Sequence, residues 1–401
     1  MGDDYLFAGL KVLDIGTWIA APVATTILAD LGASVIKIEQ TEVGDAYRTY
    51  AQMPMSPDAD INYTWALDNR NKRSLSLNLK SAEGMAILHE LVRECDVYVT
   101  NHPLPMRRKL GLLYDDIQAV NKSVIYASLT AYGEEGPERD GEGFDHVAYW
   151  ARSGLMDNVR SPGAEPAQSV PGMGDHPTAM AMYANIVTAL LRRERTGKGA
   201  RVHTSLLANG VWAASCVAQA AFSDADFGNF LHAERMPFNR ALYITSDDVW
   251  LQLSMVRTVE QFDAFVLALE LPEILVDERF ATPELRFVNG AALVKLLRAR
   301  IIERPAAEWL AIFQASNVPA SRMETLQDLV ADQQLEINGI TVTPVEDIGV
   351  ERMIRDPLNI DGVPRVGVKK APTLGQHTDE VLRELGRSDA EIMALRAKGV
   401  V

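Results

Sequence analysis

Residues 11–39, KVLDIGTWIAAPVATTILADLGASVIKIE, decide the fold of this chain. The short apolar run Lys11–Ile15 predicts a β-strand, and Ser34–Glu39 predicts a second one. Between them, Pro22 opens a stretch of helical pattern, and Gly32 ends it as a glycine after the last helical turn does. The order strand, helix, strand predicts a βαβ unit whose two strands lie parallel in one sheet.

The same alternation continues towards the middle of the chain. We expect a helix, a strand, a helix and a strand at residues 81–94, Asp96–Thr100, 103–111 and Val124–Leu129. Strands that alternate with helices of this length predict an α/β fold, with a mainly parallel sheet covered by helices. A longer helical pattern then runs from Pro177 to Glu194 and ends in a basic turn.

The pattern of predicted helices and strands changes near residue 222 and again near residue 330. Residues 241–255 predict a hairpin that turns on Ser246–Asp248, and helical patterns then dominate. The C-terminal residues predict a pair of charged amphipathic helices. We therefore predict a smaller domain, residues 222–329, inserted between the two parts of a larger domain, residues 1–221 and 330–401.

The composition is that of a globular protein of 401 residues, of which 47% are hydrophobic and 23% charged. A net charge of −15 argues against nucleic acid or an anionic membrane as a bulk partner. No apolar run reaches the roughly 18 residues of a membrane span, and the acidic start lacks the basic segment of a signal peptide. Cys95 and Cys216 predict free thiols. We expect a cytoplasmic protein.

Several well-known motifs are missing from the sequence. The turn after the first strand, Gly16–Pro22, lacks the G-x-G-x-x-G glycines that let a backbone approach a pyrophosphate, which argues against a nicotinamide dehydrogenase. The histidines and cysteines form no H-x-x-x-H or C-x-x-C pair, so we predict no metal site. Neither a G-x-S-x-G elbow nor a phosphate-binding P-loop is present.

One carboxylate has a distinctive position. In PGMGDHPT, residues 171–178, Asp175 follows Gly174 and stands at or beside the start of the helix that Pro177 opens. We expect the free N–H groups at this helix end to keep the carboxylate ionised, and the glycine to let a bulky ligand approach. An ionised, accessible carboxylate can act as a nucleophile. Spacing alone favours an ordinary capping residue at Asp175 over a nucleophile.

Two basic clusters are candidate anion sites. Residues 69–73, NRNKR, precede a strand-like segment, and residues 106–109, MRRK, follow the end of a predicted strand. Ligands of open α/β folds gather at the carboxyl edge of the sheet, so either cluster could bind phosphate there. Either cluster could equally be a solvated loop. In an acidic chain, Arg70, Lys72, Arg73 and Lys109 are the candidate local cations for an anionic ligand.

Six segments together resemble one family. They are residues 7–39, residues 44–48 (GDAYR), residues 69–84, residues 171–180 (PGMGDHPTAM), residues 192–207 and residues 371–392. In this order they resemble the class III coenzyme A transferases, a group that includes formyl-CoA:oxalate and carnitine-CoA transferases and the α-methylacyl-CoA racemases. The resemblance runs from about residue 7 to near the C-terminus.

The resemblance implies a fold and a reaction. It implies a Rossmann-like large domain built from both chain ends, a smaller α+β domain, and a homodimer of two interlocked chains. It also implies that Asp175 attacks an acyl-CoA thioester, so that CoA moves to a carboxylic acid through an aspartyl anhydride and an aspartyl-CoA thioester. Backbone N–H groups near Asp175 and in the Gly16–Ala21 turn are candidates to hold the oxyanion. Acyl-CoA and a carboxylic acid are then the substrates, with no permanently bound cofactor.

The resemblance also implies contacts with CoA. Gln40 stands where the family has an arginine, and Lys109 keeps a cation where the family has another. The implied contacts, together with the two cations of the first basic cluster, are Trp18, Ile19, Ala20, Gln40, Lys72, Arg73, Asn101, His102, Lys109, Phe144 and Asp145. Residues 143–154 resemble transferases of larger acyl groups, such as aryl-lactates or 2-hydroxyisocaproate, and Phe144 and Asp145 would then line the acyl site. Residues 222–260 lack the glycine run of the formyl-CoA enzymes, which argues against oxalate.

Two alternatives stay open. The racemases pair their aspartate with a His-Asp dipeptide for proton transfer at the α-carbon, and that dipeptide falls on Phe144-Asp145. A racemase would therefore need His146 as a substitute base. The other alternative is a CoA-binding subunit without catalysis, in which replacement of Asp175 by alanine would change nothing.

Overall fold

A computed structural model describes residues 4–54, 56–161, 163–228, 230, 237–254, 256 and 258–401. The chain forms two compact units. The first unit comprises Met1–Val159, Pro166–Gln219 and Gln334–Val401, and the second comprises Arg160–Glu165 and Ala220–Gln333. The domain division expected from the sequence, with residues 222–329 as the inserted part, stays a prediction.

The first unit is built on a six-stranded sheet. Its strands are β1 Lys11–Ile15, β2 Ser34–Glu39, β3 Arg73–Ser76, β4 Val97–Thr100, β5 Ile125–Thr130 and β6 Ala200–Ser205. Their order is β3-β2-β1-β4-β5-β6, and every pair is parallel. This confirms the α/β fold with a parallel sheet. The strand order reverses between β1 and β4, and open α/β sheets bind their ligands at such a point.

Helices cover the sheet and continue along the chain. They are α1 Ala20–Asp30, α2 Tyr63–Asn69, α3 Ala82–Glu94, α4 Leu104–Leu110, α5 Tyr114–Val120, α6 Leu155–Asn158, α7 Asp175–Thr196, α8 Leu206–Ala213 and α9 Ser215–Phe222. The expected C-terminal helix pair is also present, as the last two helices given below. Two predicted helix starts were late, because α1 begins before Pro22 and α7 begins before Pro177. Both prolines lie within the first helical turn, where their missing N–H costs no hydrogen bond.

The sequence of β1 explains why the sheet is covered on both faces. Val12 packs into one core with α1 and α7, whereas Leu13 and Ile15 pack into a second core on the opposite face with α3. Side chains of a strand alternate between faces, so an unbroken apolar run requires burial on both. All residues of α1 are buried. The short strands β10 Thr341–Val342 and β11 Met353–Ile354 form an antiparallel pair in the same unit.

The second unit has its own apolar core around Phe265 and Trp309. Strands β7 Leu242–Ile244, β8 Trp250–Leu253 and β9 Ala320–Arg322 form an antiparallel sheet, and β7 and β8 are the expected hairpin. Residue 255, at the end of that prediction, lies outside the described residues.

The other α-helices of the described residues belong to both units. They are α10 Val259–Ala268, α11 Pro283–Val288, α12 Gly290–Ile301, α13 Ala306–Ala315, α14 Leu326–Ala331, α15 Gln333–Ile337, α16 Thr378–Glu384 and α17 Asp389–Ala397, of which α16 and α17 lie in the first unit.

Two kinds of feature, a membrane-spanning helix and a cluster of metal-binding side chains, are absent from the described residues. None of their helices is both long and apolar enough to cross a membrane. No group of three or more histidine, cysteine, aspartate or glutamate side chains in this part of the chain is arranged to hold a metal ion.

Candidate active site

A cavity of about 200 Å³ lies at the carboxyl edge of the parallel sheet. Its lining comes from the segments that follow β1, β4 and β5, and from the start of α7. Six of the residues expected from the sequence line it, namely Trp18, Ile19, Ala20, Asn101, Phe144 and Asp175. The site therefore lies at the reversal of strand order, where α/β folds of this kind bind ligands.

The turn after β1 is held by side chains from other segments. Asn101 accepts a hydrogen bond from the Thr17 N–H (2.8 Å) and donates one from Nδ2 to the Thr17 carbonyl (2.8 Å). Asp45 Oδ1 accepts from the Trp18 N–H (3.1 Å). The backbone of Trp18 is left-handed, with φ of 64°, a conformation that side chains with a Cβ rarely adopt. These hydrogen bonds hold an otherwise unfavourable turn in place.

A buried group of charges lies beneath this turn. Asp14 Oδ1 accepts from the Gly16 N–H (2.9 Å), and Lys37 Nζ donates to the Gly16 carbonyl (2.9 Å). Lys72 Nζ lies 2.9 Å from Asp14 Oδ2. Burial alone would raise the pKa of Asp14, but the charges of Lys37 and Lys72 outweigh it and lower that pKa to about 2. Asp14 is therefore an anion that fixes the turn and pairs with the buried Lys72, while Lys37 pairs more closely with Asp45, at 2.9 Å.

The N–H groups of the turn are thus mostly occupied, which corrects part of the expectation for an oxyanion site. Those of Gly16, Thr17 and Trp18 all donate to side chains. Those of residues 19–21, at the start of α1, have no hydrogen-bond partner among the described residues, and α1 has no capping side chain. Any donor that this segment offers to a ligand comes from the start of α1.

Aromatic side chains form one wall of the cavity. The Trp18 and Phe144 rings meet edge to face, with centroids 5.1 Å apart, and both residues line the cavity. Tyr47 and Tyr50 also contact Trp18, with ring centroids 6.3 and 6.2 Å from that of the indole. Phe144 is 48% exposed, so its ring has room to contact a ligand. This wall offers apolar surface beside Asp175.

Asp175 is the first residue of α7, directly after Gly174. Among the described residues, no side chain or backbone group hydrogen-bonds its carboxylate. A Cβ on Gly174 would lie 2.6 Å from Tyr149 Cγ and 2.9 Å from Asp145 Cβ. The glycine therefore allows close packing of the protein itself, and its expected role in ligand approach stays a prediction. Asp145 Oδ2 accepts from the Gly174 N–H (3.1 Å) and so fixes the backbone before Asp175.

The electrostatic setting of Asp175 differs from the expected one. Burial, together with the negative charges of Asp145 and Asp68, raises the pKa of Asp175 to about 7, although the charge of His176 acts in the opposite direction. The expectation that the helix end alone keeps this carboxylate ionised is therefore wrong, because desolvation outweighs it. A carboxyl group with a pKa near neutrality, in a cavity and without a partner, is typical of a functional group.

A hydrogen-bonded chain lies next to Asp175. His176 Nε2 lies 3.2 Å from Asp68 Oδ1, and the Tyr47 hydroxyl donates to Asp68 Oδ2 (2.7 Å). His176 Nδ1 lies 3.1 Å from the Gly172 carbonyl oxygen. Burial would lower the pKa of His176, but its hydrogen bond and ion pair with Asp68 raise it to about 8. The sequence analysis did not predict these hydrogen bonds between His176, Asp68 and Tyr47.

Several expected contact residues lie outside the cavity lining. Gln40 is exposed directly after β2, and Lys109 is exposed in the last turn of α4. His102 packs against β4, where burial lowers its pKa. Asp145 acts on the site through Gly174. Their contacts with CoA stay predictions.

The first basic cluster is used by the protein itself. Lys72 Nζ donates to Asp14, to the Pro22 carbonyl and to Asn69, and the residue is 4% exposed. Arg70 is paired with Asp30 at 2.7 Å, and both side chains are buried. We therefore propose no ligand contact for Lys72 or Arg70, because their charges are already neutralised inside the fold.

Arg73 lies at the other edge of the sheet. It is the first residue of β3, whereas the cavity lies where β1 ends, and β3 runs parallel to β2 and thus to β1. Its guanidinium bonds Glu380 (2.8 Å) and Glu384 (2.6 Å) of α16. We propose no ligand contact for Arg73.

Arg139 was not expected from the sequence. It is the one cation in the described lining of the cavity, and its side chain makes no hydrogen bond or ion pair within the described part of the chain. Only its position in the exposed loop after β5 brings it to the site, and no motif marks it. The contact between Asp68 and His176 was missed because 108 positions separate the two residues in sequence.

The fold and the site define a class of protein: a doubly wound α/β protein with a free carboxylate at the ligand-binding edge of its sheet. Residues 7–378 match the family model described as CoA-transferase family III. The chain belongs to this family, as the sequence resemblance indicated, and it is a transferase of that class.

Named relatives and a solved structure agree with this placement. The chain is 32% identical to a (R)-2-hydroxy-4-methylpentanoate CoA-transferase of Clostridioides difficile, with 99% of each chain covered. It is 32% identical to a succinyl-CoA:glutarate CoA-transferase of Mus musculus, covering 98% of this chain and 89% of the relative. A crystal structure of a CaiB/BaiF family protein from Brucella suis superposes with a TM-score of 0.79 at 29% identity, covering 94% of this chain and 98% of that one.

Proposed function

We propose that this protein transfers coenzyme A from an acyl-CoA thioester to a carboxylic acid, with Asp175 as the nucleophile. The observation that carries the proposal is the Asp175 carboxylate, which lines the cavity and has no hydrogen-bond partner among the described residues. A carboxylate without hydrogen-bond donors keeps its oxygen lone pairs available for attack on a carbonyl carbon. Membership of CoA-transferase family III supports the same reaction.

The first half of the proposed reaction uses the donor thioester. An Asp175 oxygen attacks the thioester carbon, the C–S bond breaks, and CoA leaves as a thiolate while an aspartyl–acyl anhydride forms. The thiolate then attacks the aspartyl carbonyl carbon. The anhydride C–O bond breaks, the donor acid leaves as a carboxylate, and Asp175 becomes a CoA thioester.

The second half repeats these steps in reverse order with the acceptor. Its carboxylate attacks the aspartyl thioester carbon and expels the thiolate, which gives a new mixed anhydride. The thiolate attacks the acceptor's acyl carbon, so that acyl-CoA is released and the Asp175 carboxylate is restored. No ATP is needed, because one thioester replaces another.

Two features of the cavity suit this sequence of steps. Each attack creates a negative oxygen, and the N–H groups of residues 19–21 at the uncapped start of α1 are the donors proposed to stabilise it. The apolar wall of Trp18 and Phe144 suits an acyl group with a branched or aromatic body. Arg139 offers a charge-assisted contact to an anionic group of either substrate.

Mass spectrometry of the intact protein tests the proposal. The protein is incubated with 4-methylpentanoyl-CoA, cinnamoyl-CoA or succinyl-CoA and then treated with hydroxylamine or borohydride. A label on Asp175 is expected with at least one thioester, and the Asp58→Asn variant, altered at an exposed aspartate, should label equally. If no thioester labels the protein but deuterium enters the α-carbon of the substrate from solvent, the protein is a racemase and this proposal is wrong.

We also propose that the protein acts as a homodimer, which the family resemblance implies. Large apolar side chains on the surface of the first unit, such as Trp212 with 78% exposure and Val170 with 66%, support a further interface. Sedimentation equilibrium should give twice the mass of one chain. A monomer at micromolar concentration would contradict this part of the proposal.

A further inference from the structure

Two segments of the chain hold the His176 ring, the stretch that leads into α7 and the helix α2. Its Nδ1 lies 3.1 Å from the carbonyl oxygen of Gly172, and its Nε2 lies 3.2 Å from Asp68 Oδ1 on α2. Gly172 has a φ of +78°, and a Cβ there would lie 2.9 Å from His176 Nδ1. The close approach of ring and carbonyl therefore depends on a glycine at this position.

These contacts decide the charge of the imidazole ring. A carbonyl oxygen and an ionised carboxylate can only accept hydrogen bonds, so both ring nitrogens must donate. Asp68 is 1% exposed, and its other oxygen already accepts from the Tyr47 hydroxyl. A ring that donates from both nitrogens is an imidazolium. Both nitrogens are occupied in this arrangement, so the ring offers neither of them to a ligand.

The charges around Asp175 show what this cation does. Asp145, in the loop before the helical segment His146–Ala151, and Asp68, on α2, both oppose ionisation of Asp175, and so does burial. Tyr50, from the segment after β2, is also close enough for Asp175 to affect its ionisation. Among these neighbours, His176 is the group that favours the anionic form.

We propose that His176 is a positioning residue: the imidazolium held between Gly172 and Asp68 is the positive charge that favours the anionic, attacking form of the neighbouring Asp175. The inference rests on the proposed function, because it assigns His176 to the nucleophile of that reaction. Asp68 contributes by holding the charge, and Tyr47 by orienting Asp68.

The first test is the pH dependence of adduct formation at Asp175. In His176→Gln, which keeps a polar side chain and removes the charge, the acidic limb of the rate should move to higher pH. An opposite charge at this range shifts a carboxyl pKa by at least about one unit, so the rate near about pH 6 should fall about tenfold. Near about pH 9 the variant and the unaltered protein should agree within about twofold, because Asp175 is then ionised in both.

Two further variants make this test specific. His176→Lys restores a positive charge and should recover the rate at low pH. His203→Gln, at an exposed histidine on β6, should leave the profile unchanged. A loss in His176→Gln that is the same at every pH would mean a merely structural role and would overturn the inference.

The second test needs no substrate. Nitrogen-15 NMR of labelled histidine should show His176 as an imidazolium at about pH 7 in the unaltered protein, and as a neutral ring in Asp68→Asn. Carbon-13 NMR of labelled aspartate should show a higher pKa of Asp175 in His176→Gln, with Asp175→Asn identifying the signal. A neutral ring in the unaltered protein, or an unchanged Asp175 pKa, would overturn the inference. If no thioester labels the protein, the proposed function fails, while these spectra still decide the charge of His176.

Discussion

Asp14 and Asp175 are both largely withdrawn from water in the same unit, yet their surroundings drive their pKa values in opposite directions. The Asp14 carboxylate receives hydrogen bonds from Gly16, Thr25 and Lys72, and its pKa falls to about 2. The Asp175 carboxylate has no such donor among the described residues, and its pKa rises to about 7. Burial penalises the anion in both places, so the partners decide the outcome.

The difference separates structure from chemistry within one site. The anion of Asp14 is paired with Lys72 and fixes the turn that carries Trp18, so its charge serves the fold. Asp175 lines the cavity, and its carboxylate has no hydrogen-bond partner among the described residues. A buried carboxylate that stabilises the fold needs partners, whereas one without partners has oxygens available to attack a carbonyl carbon.

The largest effect is expected for the free carboxylate. Asp175→Asn removes the attacking oxygen, so the transfer rate should fall at least about 10³-fold, as for other covalent nucleophiles. Coupled transfer assays between two acids measure the rate, and calorimetry should show that CoA still binds. Asp58→Asn is the matched control at an exposed aspartate. An unchanged turnover would assign the chemistry to another residue.

Replacement of Asp14, whose charge is paired inside the fold, should instead change the stability of the protein. Asp14→Asn leaves Lys72 buried without its anion, while Lys37 keeps Asp45 at 2.9 Å, so the free energy of unfolding should fall by about 3–5 kcal/mol. Urea unfolding followed by circular dichroism measures it. Glu94→Gln, which breaks the exposed Lys11–Glu94 pair, should change it little. A similarly small change for Asp14→Asn would mean that the buried charges are not coupled to the fold.

The comparison also predicts a smaller effect of opposite sign. The pKa of Asp175 rises from 3.8 to about 7 on folding, so the folded protein retains a proton that the unfolded chain releases. Stability from this group is present at low pH and is lost as pH rises towards about 7. Asp175→Asn lacks this loss, so its stability relative to the unaltered protein should increase across that window and then stay constant. A difference that does not vary with pH would contradict the raised pKa.

The smallest effect concerns cations and extends the same comparison. Lys72 is buried and paired, whereas Lys109 is exposed on α4 and makes no ion pair within the described residues. If Lys109 contacts CoA, Lys109→Ala should weaken CoA binding by up to about fivefold, as expected for an exposed charge. Calorimetry measures the affinity, and Lys122→Ala, at the opposite edge of the sheet, is the control. Equal affinities in both variants would remove Lys109 from the site.

Local pattern was sufficient for the elements that build the site. The strands at Lys11–Ile15 and Ser34–Glu39 have the expected bounds, because apolar runs flanked by turn residues report burial directly. Asp175 was placed at the start of a long helix by a glycine and a proline. Its candidacy as a nucleophile depended on the family resemblance, since spacing alone favoured a capping role.

The charges show where this reasoning stops. Lys72 and Arg73 stand beside each other in a basic run, but Lys72 reaches Asp14 beneath the cavity while Arg73 bonds α16 at the other edge. Nothing in the run distinguishes them, because a charge pattern reports neither partner nor depth. The same holds for Arg139, which the fold of an exposed loop brings to the cavity.

The sequence by itself determined the βαβ start, the parallel sheet, the position of Asp175 and, through resemblance, the family. Only the tertiary structure decided which charges are paired, because the partners are far apart along the chain: Lys72 and Asp14 by 58 positions, His176 and Asp68 by 108. Periodicity reports whether a residue is buried, which is a local property. The ionisation of a buried group depends on which other segments the strand order brings beside it, and that is decided only when the sheet has formed.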